Sequence, residues 1–223
     1  MDSSASLRMT VYASLMAALT AAGAYLAIPI GPVPIVLQNL FIFLSGLLLG
    51  PRWGAASVAI YLLAGALGLP VFAGGTGGIG HFAGPTGGYL LGYLPAVFVI
   101  GLISCGSKKR VVLDIVAMVA GSVIVYAIGL SWLKILTKMT MTKTLAVGML
   151  PFLPGDALKI AAAVPIAKAL RPVINRYEGS VGRAFQPAEV GGQSSEVPSS
   201  LFELRRGKRK SVVDQSTIGN HKS

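Results

Sequence analysis

The chain has 223 residues, of which 53% are hydrophobic and only 12% are charged, and its formal net charge is +11. Soluble domains contain about 25% charged residues, so this composition excludes an ordinary soluble globular protein. The single cysteine, Cys105, excludes an intrachain disulfide framework and a cysteine-based metal cluster.

The charged residues are unevenly distributed along the chain. Residues 1–170 hold ten Lys or Arg and three Asp or Glu, whereas residues 171–223 hold nine and five. We therefore expect a membrane domain over residues 1–170 and a cytoplasmic tail over residues 171–223. The tail lacks hydrophobic periodicity and is predicted to be disordered. Its basic cluster, residues 205–210, either touches anionic lipid or stays solvated.

Six segments are long and apolar enough to approach the roughly 20 residues that a bilayer crossing needs. They are residues 9–28, 35–49, 53–69, 89–105, 111–136 and 154–170. We interpret the first as a membrane span and not as a cleaved signal, because its flanks lack the charge pattern of one. The sequence thus predicts an all-α integral membrane protein, a compact bundle of six transmembrane helices.

Basic residues predict the orientation of this bundle. One side collects Arg8, Arg52, Lys108, Lys109, Arg110, Arg171 and Arg176, and the other collects Lys134, Lys138 and Lys143. Cytoplasmic loops carry the excess of Lys and Arg. We therefore expect both termini in the cytoplasm of a multi-pass plasma-membrane protein, and the Pro-rich turn at residues 29–34 outside with the Gly-rich segment at residues 68–88.

The Gly-rich segment cannot be helical throughout, because each glycine in a helix costs up to about 1 kcal/mol. Irregular backbone at membrane depth must be buried in protein or line a cavity. We expect it to line a cavity, and a solvent-exposed linker is the alternative. His81 lies in this segment without Cys, Asp or Glu nearby, so we interpret it as a local hydrogen-bonding residue and expect no metal site.

Two opposite charges, Asp156 and Lys159, lie three residues apart in an apolar stretch. A charge inside a membrane segment is costly and indicates a functional site, although a structural ion pair is the alternative. The chain has no P-loop, H-E-x-x-H or G-x-S-x-G motif. A solute binder or transporter without a cofactor is therefore favoured over a membrane-embedded enzyme or a scaffold protein.

Five segments resemble the BioY family, in order. They are residues 31–40 (GPVPIVLQNL), 46–54 (GLLLGPRWG), 67–75 (LGLPVFAGG), 84–92 (GPTGGYLLG) and 151–159 (PFLPGDALK). The resemblance covers about residues 9–170, and the tail has no counterpart in it. Val36 stands where the family often has Thr, so one hydroxyl of the usual motif is missing.

The resemblance implies a function. BioY proteins are biotin-binding S-components of energy-coupling factor (ECF) transporters, built as six-helix bundles that bind substrate under their first and third outer loops. Import requires a separate module of a transmembrane coupling protein and two ATPases. The implied partners are thus biotin, this module and the lipid bilayer, and no nucleic acid. A standalone biotin transporter, or a protein for another small vitamin-like solute, is the alternative.

The resemblance also implies a partner surface on helix one. Ala13, Ala17 and Ala21 form a ladder at four-residue spacing, and in the family such small-residue ladders contact the coupling protein. Spacing alone favours internal packing, because small residues let any two helices approach closely.

In a biotin site, Asp156 and Lys159 are expected to address one end of the ligand, because residues at i and i+3 lie about 5–6 Å apart at Cβ. Our hypothesis is that they bind the ureido group as acceptor and donor. The rival hypothesis is that Lys159 binds the carboxylate of the ligand.

Further contacts are predicted where the outer loops meet the helices. Thr86 and Tyr89 are expected to hydrogen-bond and stack on the ligand, although Tyr89 equally suits an interfacial anchor. Gln38 and Asn39 are either ligand contacts or polar residues that begin a helix. Tyr126 and Trp132 either wall the cavity or face lipid.

Overall fold

The computed structural model describes residues 3–28, 33, 35–105 and 111–184. Its helices are α1 (Ser3–Tyr25), α2 (Gln38–Ala66), α3 (Gly80–Ala83), α4 (Gly87–Cys105), α5 (Val111–Thr137), α6 (Met141–Gly148) and α7 (Leu153–Ala184). Strands β1 (Ala27–Ile28) and β2 (Ile35–Val36) form a short antiparallel ladder that brackets the Pro-rich turn. The described chain is otherwise helical, which confirms the predicted all-α fold. Most of the Pro-rich turn itself lies outside the described residues.

Two units are distinguished along the chain, Met1–Glu178 and Gly179–Ser223. The helices of the bundle belong to the first unit, and the described part of the second is only the end of α7. The sixth segment, predicted to end at residue 170, continues as helix to Ala184. The rest of the predicted tail, with its basic cluster at residues 205–210, lies outside the described residues.

Helix α2 contains two of the predicted segments and folds back on itself at Gly50. This residue has φ +75° and ψ −172° within the helix, a conformation that glycine adopts without steric cost. Residues nine apart in a straight helix would lie about 13.5 Å apart along its axis. However, a Cβ on Gly54 would be 3.0 Å from the carbonyl oxygen of Ser45. Residues 38–49 and 51–66 are therefore two legs that lie side by side.

Within the described chain, four helices are long and apolar enough to cross a membrane, namely α1, α2, α4 and α5. A fifth span is formed if α6 and α7, bent by 44° at a short break, are taken together. Because α2 contributes two antiparallel legs, the bundle has six legs, one for each predicted segment. Helix α6 is a difference, since the sequence predicted only a connection there.

Successive legs alternate in direction, so the connections gather at two ends of the bundle. Residues 26–28, 33, 35–37, 67–86 and 138–152 lie at one end, which we call the cavity end. The turn at Gly50, the end of α4 and the start of α5 lie at the other, which we call the closed end. This arrangement brings the Gly-rich segment and the first turns of α7 to the same end, as the sequence predicted.

A buried ion pair joins four legs at the closed end. Arg171 of α7 donates to both carboxylate oxygens of Asp114 at 2.7 Å and to the Ser104 hydroxyl at 2.8 Å. Ser104 in turn donates to Asp114 Oδ1 at 3.0 Å, and a longer contact of 3.4 Å runs from Arg171 to the carbonyl oxygen of Leu47. Asp114 is only 3% exposed. Arg171, which the sequence placed in the tail, therefore contacts the bundle through a buried carboxylate.

The alanine ladder of α1 faces the inside of the bundle. Ala13 and Ala17 are buried, Ala13 in a cluster with Met16 and Leu49, and Ala21 is partly buried. These alanines therefore pack inside this chain, and the contact of the ladder with a coupling protein stays a prediction. The exposed face of α1 carries a different set of residues, namely Val11, Ser14, Leu15, Ala18 and Ala22.

Candidate functional site

A cavity of about 300 Å³ lies at the cavity end of the bundle, a volume at the lower limit of typical small-ligand sites. The Gly-rich segment contributes Phe72, Ala73, Thr76, His81 and Pro85 to its wall. The helices contribute Gln38, Asn39, Tyr89, Tyr93, Tyr126 and Lys159. The prediction that the Gly-rich segment lines a cavity is thus confirmed.

The Gly-rich segment is fastened over the cavity by contacts to α1 and α5. Tyr25 Oη donates to the carbonyl oxygen of Pro70 at 2.5 Å, and the Gly74 N–H donates to that of Ala24 at 3.2 Å. On the other side, Trp132 Nε1 donates to the carbonyl oxygen of Gly84 at 3.0 Å. These contacts hold the Gly-rich segment, residues 68–88, over the cavity, and we call this segment the lid. Trp132 binds the lid instead of facing lipid.

Phe72 anchors the lid to α2. Its ring lies 5.7 Å from the rings of Tyr61, His81 and Phe82, in edge-to-face arrangements that aromatic pairs favour. Phe72 is 2% exposed, and it packs so closely on α2 that a Cβ on Gly65 would lie 2.2 Å from it. The aromatic group gives the cavity an apolar wall on the lid side.

Lys159 lies on the cavity wall and is held there by Asp156. Its ammonium donates to Asp156 Oδ1 at 3.0 Å, and the two residues are 7% and 5% exposed. The second carboxylate oxygen, Oδ2, accepts a hydrogen bond from the hydroxyl of Tyr126. A buried charge needs such partners, because an unpaired one is strongly destabilising.

Asp156 itself does not line the main cavity. It borders a small neighbouring cavity of about 10 Å³ and a groove between α5 and α7. The two side chains that it binds, Tyr126 and Lys159, do line the main cavity. The ion pair is therefore both a structural contact and part of the site: Asp156 fixes the position of the groups that face a ligand.

The other predicted site residues also gather at this cavity, since Gln38, Asn39, Thr86 and Tyr89 all line it. Tyr89 is 6% exposed and donates to the carbonyl oxygen of Gly148 at 2.9 Å, so it is not an interfacial anchor. Gln38 is 2% exposed, and its side chain lies beside the buried hydroxyl of Tyr61. Its Nε2 makes no hydrogen bond of standard geometry within the described residues.

Sequence reasoning missed Tyr93 and the role of Phe72. Tyr93 lines the cavity one helical turn beyond Tyr89, and its hydroxyl donates to Asn39 Oδ1 at 2.9 Å. The i,i+4 spacing of the two tyrosines puts them on the same face of a helix, and this was the available signal. Phe72 gives no comparable signal, because its position depends on how the glycine-rich backbone folds.

Comparisons with known proteins agree with this architecture. The model of the BioY family matches residues 1–176, which is most of the chain. The chain belongs to the BioY family. The BioY family is a family of transporter S-components and not of enzymes, and the apolar helices of this chain identify it as a membrane protein.

Two curated BioY relatives span most of the membrane domain. The "Probable biotin transporter BioY" of Pyrococcus horikoshii is 43% identical over 158 residues, which cover 71% of this chain and 93% of the relative. The "Biotin transporter BioY" of Thermotoga maritima is 41% identical over 165 residues, covering 74% and 96%.

A solved structure has the same fold. It is the crystal structure of the S-component for biotin from an ECF-type ABC transporter, with a TM-score of 0.72 and 34% sequence identity. The match covers 77% of this chain and 94% of that chain. The six-leg BioY bundle described above is therefore an S-component fold.

Proposed function

We propose that this chain binds biotin at the outer face of the cell membrane and is the substrate-binding S-component of an ECF-type transporter for biotin uptake. The observation that carries the proposal is the lidded cavity with its Asp156–Lys159 pair in a chain of the BioY family. The relatives named as biotin transporters and the biotin S-component of solved structure support the choice of ligand. Because that structure comes from an ECF transporter, standalone transport is not favoured.

The chemistry of biotin suits the composition of the cavity. Biotin has a compact, mostly apolar bicycle, a ureido group with two N–H donors and one carbonyl, and a carboxylate on a flexible chain. Phe72, Leu90, Val125 and Phe152 provide apolar wall against which the bicycle would be desolvated. Burying apolar surface contributes about 25 cal/mol per Å², so this contact supplies affinity while the polar groups supply specificity.

Lys159 and Asp156 are proposed to recognise the ureido end together. Lys159 faces the cavity and has N–H groups beyond the one that it shares with Asp156, so it can donate to the ureido oxygen. A hydrogen bond with an ionised partner is about twice as strong as a neutral one. Asp156 contributes by holding Lys159 and Tyr126, because it does not itself line the main cavity.

Gln38 and Asn39 are proposed as the neutral contacts. Gln38 lines the cavity beside Tyr61, and its Nε2 would donate to a ligand acceptor, because a buried donor left without a good hydrogen bond costs about 1–3 kcal/mol. Asn39 Oδ1 already accepts from Tyr93, but an amide oxygen has a second lone pair for a ureido N–H. Thr86 and Tyr89 complete the wall at the start of α4.

The proposed orientation has both termini in the cytoplasm of a plasma-membrane protein, with the lid outside. Its support is the distribution of cations: the closed end carries Arg52 and Arg171, and the connection between α4 and α5 adds residues 108–110, all Lys or Arg. The cavity end carries Lys138 and Lys143. The positive-inside rule then makes the cavity accessible from outside.

The proposed partner is an energy-coupling module of a transmembrane coupling protein and two ATPases. We place its contact with α1 on the exposed face of that helix. Ser14, Ala18 and Ala22 repeat there at four-residue spacing, which permits close approach of a second helix. Ala13 and Ala17 lie behind this face and fix its position through their packing on α2.

Isothermal titration calorimetry of the purified protein with biotin tests the proposal. We expect saturable binding of one biotin per chain and recovery of unmodified biotin afterwards. Lipoate, which has a similar carboxylate chain but no ureido group, should bind at least about tenfold more weakly, the value of one charge-assisted hydrogen bond. Absence of saturable biotin binding would overturn the proposal, and preference for another solute would redirect it.

A further inference from the structure

The polar groups on the cavity wall differ in how many hydrogen bonds they already make. The hydroxyls of Tyr89, Tyr93, Tyr126 and Thr76 donate to protein acceptors. Lys159 donates to Asp156. A ligand that enters this cavity must therefore find its donors in the N–H groups that Lys159 has left and in the remaining polar groups, because these hydroxyl hydrogens are in use.

His81 is one of these remaining groups. It is half-buried in α3, and its ring packs at 5.7 Å on Phe72. The imidazole lines the cavity, and no contact among the described residues gives its side chain a hydrogen-bond partner. The interpretation of His81 as a local hydrogen-bonding residue holds for its backbone, which pairs with Gly78 and Gly84. An imidazole always carries at least one N–H, and that donor has no acceptor among the residues that the structure describes.

His81 and Lys159 lie at different depths in the cavity. Lys159 is six residues into α7, which is about 9 Å along the helix axis at 1.5 Å per residue. His81 lies in the lid, which connects the ends of α2 and α4. A ligand with polar groups at both ends requires contacts at both of these depths.

The wall around His81 favours an anion. The titratable groups that line the cavity with it are Tyr89, Tyr93, Tyr126 and Lys159. No Asp or Glu of the described chain lines the cavity, since Asp156 lies behind Lys159 and Tyr126. A carboxylate placed beside His81 would therefore meet a donor and no competing negative charge.

We propose that His81 binds the carboxylate of the ligand under the lid, which leaves Lys159 for the ureido end. This assignment rests on the proposed function, and it decides between the two roles that the sequence left open for Lys159. It also gives the lid a role in ligand specificity, because closing the lid would bring the imidazole of His81 into contact with the carboxylate of the ligand.

A cycle of two ligands and several variants tests this assignment. Biotin and its carboxamide are titrated into the wild type, His81→Ala, His81→Asn and Lys159→Met. Amidation should weaken wild-type binding about tenfold or more, as expected for a hydrogen bond to a charged group. In His81→Ala the same amidation should lower the affinity by less than about threefold. His81→Asn, which keeps an N–H donor, should recover part of the penalty and covers the case in which the alanine variant does not fold.

Ile79→Ala controls for a general disturbance of the lid. Ile79 lies two residues from His81 and is 77% exposed, so its variant should retain the full wild-type penalty. The assignment is overturned if His81→Ala keeps the full penalty while Lys159→Met abolishes it, or if amidation has no effect on the wild type. A wild type that does not bind biotin at all would instead overturn the proposed function.

Discussion

In the proposed site, Asp156 acts without touching the ligand. Its two oxygens hold Lys159 and Tyr126. Of these three side chains, Lys159 and Tyr126 reach the main cavity and Asp156 does not. Replacing Asp156 with Asn leaves the ammonium of Lys159 buried without its counter-ion, which costs about 3–5 kcal/mol in comparable pairs. We expect Asp156→Asn to weaken biotin binding at least about tenfold by calorimetry.

Asp114→Asn is the matched control for this prediction. It is the same substitution at a carboxylate that is equally buried and ion-paired, but at the closed end of the bundle. It should lower the thermal unfolding temperature and leave the affinity for biotin unchanged. Equal losses of affinity in both variants would mean that Asp156 acts only through stability.

At the residue scale, the sequence identified the site mainly through charge. Asp156 and Lys159 are conspicuous because charge is rare in an apolar segment, and Gln38, Asn39, Thr86 and Tyr89 border predicted loops. The division of labour within the pair was not predictable, because it depends on Tyr126, thirty residues away in sequence. The place of His81 on the cavity wall was not predictable for a similar reason, because it depends on how the lid folds.

At the scale of elements, the lid and helix α1 are mechanically joined. Besides the hydrogen bond to Pro70, the Tyr25 ring fills the space beside Gly75, where a Cβ would lie 3.0 Å from it. A net hydrogen bond contributes about 0.5–1.5 kcal/mol, so Tyr25→Phe should accelerate biotin dissociation roughly two- to tenfold. Stopped-flow displacement of labelled biotin measures this rate.

Tyr12→Phe provides the comparison for Tyr25→Phe. Tyr12 is on the same helix but packs near Ala13, Met16 and Leu49, far from the lid. Its loss of a hydroxyl should leave the dissociation rate at the wild-type value. If Tyr25→Phe also dissociates at that rate, the hydrogen bond to Pro70 does not hold the lid closed.

The fold-back of α2 is a second element-scale feature that can be tested. Gly50 has open space around it but a positive φ, whereas Gly80 has open space and no such φ. With the ψ of −172° at Gly50, this is a conformation that essentially only glycine adopts, and a side chain there costs about 1–3 kcal/mol. We expect Gly50→Ala to lower the free energy of unfolding by about this amount, and Gly80→Ala to change it by less than about 0.5 kcal/mol. Equal thermal stability of both variants would contradict the role of Gly50.

The sequence predicted the helical legs of the bundle better than the connections between them. Apolar length alone indicated all six legs. It did not indicate helix α6, because Met141–Gly148 is short and contains polar Thr and Lys residues. It also placed Ile35 and Val36 in a helix, whereas they pair with Ala27 and Ile28. Such local choices depend on tertiary contacts, which overrule weak intrinsic propensity.

At the scale of the whole molecule, the proposed function assigns the binding of biotin to this chain and the hydrolysis of ATP to a separate module. The chain carries no P-loop motif, so it has no recognisable means of hydrolysing ATP by itself. Liposomes that contain only this protein should bind biotin but not accumulate it. Adding a coupling protein and its ATPases with ATP should produce accumulation, measured with radiolabelled biotin. Accumulation by the chain alone would identify a standalone transporter.

The two buried ion pairs make this bundle suitable for chemical footprinting. Among the side chains that the structure describes, Asp114 and Asp156 are the only carboxylates, one at each end, and both are shielded. A carbodiimide with an amine nucleophile should therefore leave the described domain unlabelled until one end opens. Label on Asp156 would report opening toward the cavity end, and label on Asp114 would report opening toward the other. Mass spectrometry of two peptides could then follow both gates in the same sample.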